Sequence, residues 1–131
     1  MLDTNACIGV INGKPPALRS RLLGLSPDEV AISEIVRYEL EFEICRSQHQ
    51  EKNRGNLTHF LRYIRVLDWS EAQSVEAAQV RCELTRQGQP IGHYDILISA
   101  HARSIGAILV TRNIREFGRV EGLQLEDWES P

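Results

Sequence analysis

Short apolar runs of strand length alternate in this chain with longer segments whose apolar residues recur at helical spacing, and this alternation limits the fold more than any other feature. Val30-Ala31-Ile32, Val66-Leu67 and Ala107 to Val110 read as compact buried strands, Met1 to Asp3 as the tail of another, and Leu123 to Leu125 as a short edge strand. The intervening segments read as helices. Ala6 to Asn12 is stopped by Gly13, and a second helix runs through Leu18, Leu22 and Leu23 after Pro15-Pro16. Ser33 can cap a helix with the stripe Ile35, Val36, Leu40 and Ile44. After a polar break from Gln48 to Asn56, Leu57, Phe60, Leu61 and Ile64 suggest another. Ser70 with Gln73 matches a capping box and opens a long helix through Val75, Ala78, Val80 and Leu84, ended by Gly88. Gly92 to Asp95 leads into a helix containing Ile96, Leu97, Ile98, Ala100, Ala102 and Ile105, apolar on most sides and so expected to be central. Strands separated by helices imply an α/β fold with a mainly parallel sheet covered by helices.

With 131 residues, 42% of them hydrophobic, the chain fits a single domain over 1–131, and no repeat, low-complexity tract or linker divides it. No apolar run approaches the roughly 20 residues of a membrane span, and no signal-peptide pattern opens the chain, so the expected location is the cytoplasm. Cys7, Cys45 and Cys82 are odd in number and widely separated, which suits reduced thiols rather than disulfides or a zinc site. A net charge of -3 argues against nonspecific coating of nucleic acid. Lys14 and Lys52 are the only lysines, so nearly all positive charge is guanidinium, which suits bidentate phosphate contacts. Arg103, Arg112, Arg115 and Arg119 gather late in the chain; a solvated surface paired with Glu116 and Glu121 is the ordinary reading, a phosphate-binding rim the sharper one.

Ligands in open parallel sheets bind beyond the carboxyl ends of the strands, and Asp3, Ser33, Thr111 and Asn113 all fall at or just after expected strand ends. Glu39, in the second turn of the helix that Ser33 caps, can point back over the same edge, and Asp95 stands at the start of the central helix. Each acid has a plainer explanation. Asp95 could cap its helix, Asp3 could close a strand-to-helix turn, and Glu39 could be an exposed residue among Glu34, Glu41 and Glu43. Taken together, three carboxylates at one edge would repel and raise one another's pKa values unless a cation neutralised them. His93 and His101 lie near Asp95 but are expected to be packing residues, and His49 and His59 carry no signal.

The opening Leu2-Asp3-Thr4-Asn5, the segment Ile32-Ser33 followed by Glu39, the stretch Gly88-Gln89-Pro90-Ile91-Gly92-His93-Tyr94-Asp95, and Val110-Thr111-Arg112-Asn113 with Glu116-Phe117 resemble, in that order, the PIN domain. More closely they resemble the VapC toxins of bacterial toxin–antitoxin pairs, from Asp3 to Trp128. The resemblance implies a three-layer α/β/α sandwich and a metal-dependent endoribonuclease, with magnesium or manganese held by Asp3, Glu39 and Asp95. One departure stands out: many family members carry an aspartate where this chain has Asn113, so Glu116 or an outer-sphere water would have to compensate at any second metal. Only Met1 and Leu2 precede Asp3, so the first strand is short or the true start lies upstream.

The expected reaction is hydrolysis of an RNA phosphodiester by metal-activated water. Asp3, Glu39 and Asp95 would be the ligands, directly or through water; Thr4 or Asn5, Ser33, Thr111 and Asn113 would orient them, and Arg112 and Arg115 would contact backbone phosphate. A non-enzymatic receiver-type signalling domain fits poorly, since it expects paired acids after the first strand and a lysine after a late one. A metal-dependent DNA nuclease of related architecture stays open. The resemblance also implies a homodimer and a cognate antitoxin that blocks the acidic site, with the helices near Ile35 to Ile44 and Leu57 to Ile64 as candidate partner surface. The similarity of the Gln89-Pro90-Ile91-Gly92 region to the toxin group implies structured RNA as the target, with tRNA among the candidates.

Overall fold

The computed structural model describes residues 1–130. Four short strands, β1 (Ala31–Ser33), β2 (Arg65–Leu67), β3 (Leu109–Val110) and β4 (Leu125–Glu126), pair in parallel as β1 with β2 and β3 with β4. The Met1–Asp3 segment joins these pairs into one sheet. Leu2 N–H donates to Ala31 O at 3.0 Å on one side, while Asp3 N–H donates to Val110 O at 3.1 Å and Val110 N–H to Met1 O at 2.7 Å on the other. The order is therefore β2, β1, Met1–Asp3, β3, β4, with the N-terminal segment in the middle. Such a short segment persists because both its neighbours satisfy its backbone and Leu2 is fully buried between helical layers.

Among the described residues, seven α-helices cover the sheet: α1 (Thr4–Asn12), α2 (Pro16–Leu23), α3 (Glu34–Cys45), α4 (Gln50–Phe60), α5 (Glu71–Arg86), α6 (His93–Ser104) and α7 (Ile114–Phe117). A large apolar cluster unites the sheet with α1 to α4 through Leu2, Val10, Ile32, Val36, Leu57 and Phe60. A second, smaller one lies between α5 and α6, where Ala77, Val80 and Leu84 meet Ile96 and Ala100. The three-layer α/β/α arrangement of the PIN fold is thereby realised. No helix among the described residues is long and apolar enough to cross a membrane. Cys7 is buried and Cys45 and Cys82 are exposed, all as free thiols.

Local signals in the sequence account for most boundaries. Ser33 Oγ accepts from Ile35 N–H at 3.1 Å and caps α3. The Ser70–Gln73 capping box opens α5, and Gly88, at φ +64°, ends it in the left-handed region that side chains avoid. Four expectations need correction. The polar break is helical from Gln50, because Gln, Glu, Lys and Arg favour helix and only Leu57 and Phe60 need burial there. The buried stripe of α5 is Gln73, Ala77, Val80 and Leu84, whereas Val75 and Ala78 face water. Asp95 does not cap α6; Gly92 is the cap residue and Asp95 lies in the first turn. Ile105 follows the end of α6 and is exposed. Helix α7 had no expectation at all, since one turn is too short to show periodicity.

Candidate active site

Parallel strands put all their carboxyl ends on one edge, and that edge carries the acids. Asp3 ends the central segment, Glu39 reaches over from α3, and Asp95 projects from the first turn of α6. The three line one cleft of about 430 Å³ together with Thr4, Asn5 and Tyr38. Asp3 serves two ends at once. Its Oδ1 accepts from Ala6 N–H at 2.7 Å, which caps α1, and the side chain stays buried at the floor of the cleft. The Thr4 hydroxyl donates to Glu39 Oε1 at 2.6 Å and so fixes a carboxylate that belongs to a different helix.

Electrostatics set this cleft apart from the rest of the surface. Burial pushes the Asp3 carboxyl up; the Thr111 hydroxyl and Ala6 N–H oppose that, and the charges of Glu129 and Glu39 add to it. Asp95 is pushed to about 6, first by burial and then by the neighbouring charges of Glu116, Glu39 and Asp3. No lysine or arginine among the described residues forms an ion pair with Asp3, Glu39 or Asp95. Five carboxylates thus act on one another, and among the described residues only Glu129 has an ion-pair partner, Arg112 at 4.0 Å.

The flanking residues divide into two groups. Asn113 holds Glu116 in place: Nδ2 donates to Glu116 Oε2 at 2.8 Å, and Oδ1 accepts from Glu116 N–H at 3.4 Å, which also caps α7. The departure at position 113 is thus accompanied by an acid three residues on that bears on Asp95 more strongly than Glu39 or Asp3 does. Thr111 is buried, and its Oγ1 accepts from Asn113 N–H at 2.9 Å. Ser33 contacts no acid. Its Oγ lies 2.7 Å from His101 Nδ1, which ties the end of β1 to α6, and His101 is buried edge-on against Trp69 as a packing residue. Asn5 is exposed at the rim.

Of the four late arginines, two are committed elsewhere. Arg103 clamps α5 to α6 through Glu76 at 2.7 Å and Glu83 at 2.9 Å, and Arg119 donates to Pro90 O at 2.9 Å. Arg112 is open to solvent, 4.0 Å from Glu129, and Arg115 is exposed. The apolar stripes of α3 and α4 are mostly spent on the core, since Val36, Leu40, Ile44, Leu57 and Phe60 are buried. What they leave is a separate cleft of about 400 Å³ between α1, α3 and α4, which shares Ile8 and Glu43 with the acidic cleft. Sequence reasoning missed Glu43, Glu129 and the aromatic rim of the acidic cleft, Tyr38, Phe42 and Tyr94. The only linear hint of that rim is a tyrosine directly before each of Glu39 and Asp95.

The donor set is chemically suited to a hard divalent cation, being carboxylate and hydroxyl oxygen without thiolate or imidazole. Among the described residues, no three His, Cys, Asp or Glu side chains stand close enough to grip one ion together. That spacing agrees with mutual repulsion, and with an ion such as magnesium that keeps several waters and reaches some carboxylates through them.

Comparison with known proteins agrees with the fold. The PIN domain family matches residues 1–123. The tRNA(fMet)-specific endonuclease VapC of Shigella flexneri is 44% identical over 128 residues, which span 98% of this chain and 96% of that protein. In the crystal structure of VapBC2 from Rickettsia felis bound to a DNA fragment from their promoter, a chain 38% identical superposes with a TM-score of 0.91, covering 98% of this chain and 97% of that one. The DNA-bound VapBC from Salmonella typhimurium contains another, 40% identical, with a TM-score of 0.92 and coverage of 98% and 96%. By likeness over nearly its whole length, the chain belongs to the PIN domain family, in its VapC branch.

Proposed function

We propose that the acidic cleft is the active site of a divalent-metal-dependent endoribonuclease, that the chain is the toxin of a toxin–antitoxin pair, and that a single domain over 1–131 carries the activity. The observation that carries this reading is the convergence of Asp3, Glu39 and Asp95 on one cleft with no cationic side chain paired to them. Transfer RNA is the proposed substrate class, because a relative that matches 98% of this chain is a tRNA(fMet)-specific endonuclease.

Asp3, Glu39 and Asp95 would hold magnesium or manganese, with Glu116 as the nearest further carboxylate. Bound there, the cation supplies Lewis-acid polarisation of the phosphate and a more acidic water. The chain's own residues position everything else. Thr4 keeps Glu39 turned into the cleft, Asn113 holds Glu116 toward Asp95, and Thr111 steadies Asp3. Ser33 acts at one remove, through His101, by fixing α6 against β1. Arg112, exposed and at the limit of an ion pair with Glu129, and the exposed Arg115 lie on the flank, where guanidinium can meet backbone phosphates that the acids themselves repel. The antitoxin is proposed to occupy the cleft between α1, α3 and α4, which adjoins the acidic one, and a homodimer is the proposed assembly.

The test is digestion of total tRNA and of single-stranded DNA side by side, with magnesium, with manganese and with EDTA. Cleavage of tRNA only with metal, lost in Asp3→Asn and in Asp95→Asn while both stay folded by circular dichroism, is expected. Asn can take over the capping role of Asp3, so the fold should survive that change. Cleavage that survived both substitutions, or cutting of DNA but not tRNA, would remove this assignment.

A further inference from the structure

We propose that Tyr38 and Tyr94 form a base-stacking platform at the mouth of the acidic cleft, which holds an unpaired base of the RNA beside the phosphate to be cut; the proposal rests on the nuclease reading above. The chain has three Phe, two Trp and three Tyr. Phe60, Phe117 and Trp128 are buried as expected of core aromatics. The three most exposed are Phe42 at 53%, Tyr38 at 52% and Tyr94 at 45%, and all three line the cleft that holds Asp3, Glu39 and Asp95. Core packing does not explain why the chain's most solvent-exposed rings share one pocket with its uncompensated acids.

The two tyrosines are also fixed to each other. Tyr38 precedes Glu39 on α3 and Tyr94 precedes Asp95 on α6, so each ring is set by the same helix that sets an acid. Their hydroxyls lie 3.2 Å apart in a hydrogen bond, and their rings are 5.5 Å between centroids with planes at 41°. That bond spans two helices and pre-orients both rings, which lowers the entropy lost when a ligand arrives. The tilt makes an open wedge: a flat ligand can stack on one ring and meet the other edge-on. Phe42 is a poorer surface, because the Arg46 guanidinium already lies 5.7 Å over its ring.

The neighbourhood selects the occupant. An acidic wall repels a phosphate that does not meet a cation, whereas a neutral base with a π-face is accepted. A nucleotide whose phosphate reaches the carboxylates necessarily carries its base within the same cleft, and about 430 Å³ leaves room for one. Sequence-specific proteins take RNA at loops whose unstacked bases splay onto aromatic side chains. The same arrangement makes a base-paired strand a poor substrate here, because its bases are not free to stack.

Single-turnover cleavage of total tRNA at increasing protein concentration separates half-saturation from maximal rate. Stacking is worth enough that Tyr38→Leu and Tyr94→Leu should each raise the half-saturating concentration by roughly 5- to 150-fold. Tyr→Phe and Tyr→Trp, which keep a ring and lose only the pre-orienting hydroxyl bond, should stay within about threefold of the parent and well short of the Leu variants. Phe variants as impaired as Leu variants would show that the hydroxyl bond matters and not the ring, and would overturn the proposal. So would Leu variants that cut like the parent. Leu variants that cut normally but no longer co-purify with the antitoxin would make this face a protein-docking surface, which also overturns it. A parent protein that cuts no RNA defeats the underlying nuclease reading instead.

Discussion

Asp95→Asn should make the metal-free protein more stable while destroying its proposed activity. A carboxyl whose midpoint moves from 3.8 to about 6 is less stable charged inside the fold than outside it. The full conversion is at most about 3 kcal/mol. Asp95 is only half-buried, so solvent screening cuts this to about 1.5 kcal/mol. The α6 dipole works in the other direction, since an acid in the first turn is favoured by roughly 0.5 kcal/mol. The net expected gain on substitution is about 1 kcal/mol, or a rise in Tm of about 3–5 °C for a chain of this size. The pH dependence has a definite sign. A raised carboxyl pKa destabilises the parent progressively as pH rises from about 4 to about 6, and fully above that. Melting curves in EDTA should therefore separate the two proteins at pH 7 and bring them together near pH 4. Magnesium should raise the Tm of the parent and affect the variant less, because binding to the folded state alone stabilises it. An Asn variant that melts below the parent at pH 7, or by the same margin at pH 4 and pH 7, would refute the claim that burial, with the neighbouring charges added to it, makes the charged Asp95 unfavourable in this cleft.

Three further expectations follow from particular contacts. Thr4→Val keeps the shape but removes the donor to Glu39 Oε1, and should lower metal-dependent cleavage by about 10- to 100-fold with little change in Tm, measured by kinetics and melting. Arg103→Leu leaves Glu76 and Glu83, both on α5, without the guanidinium that α6 supplies to them and should cost about 2 kcal/mol in urea unfolding, without altering cleavage per folded molecule. Gly9→Ala would drive a methyl group into the buried Leu18 side chain and to 3.2 Å from Lys14 O, where α1 and α2 touch, and should destabilise by about 1–3 kcal/mol in the same assay.

Much of the architecture was legible in one dimension because the signals are local. The alternation of short apolar runs with segments of period 3.6 specifies helices between parallel strands, Ser33 and the Ser70–Gln73 box mark helix starts, and strand ends carry Asp3, Ser33 and Thr111 to one edge. What failed depended on neighbours. Val75 and Ala78 belong to an apolar-looking series, yet α5 turns Ala77 and Gln73 inward, because the orientation of a helix is decided by what α6 offers it. Arg103 looked like its fellow arginines until the fold set Glu76 and Glu83 beside it.

The sequence by itself determined the α/β class, the order of the elements apart from α7 and the identity of three acids at the carboxyl edge, since each is written in spacing along the backbone. Tertiary structure alone decided that Glu116 bears on Asp95, that Thr4 grips Glu39, that Ser33 serves His101 and that two tyrosines from different helices meet over the cleft. Those are relations across elements far apart in the chain, and a Coulomb or hydrogen-bond energy depends on distance in space, which no local pattern encodes.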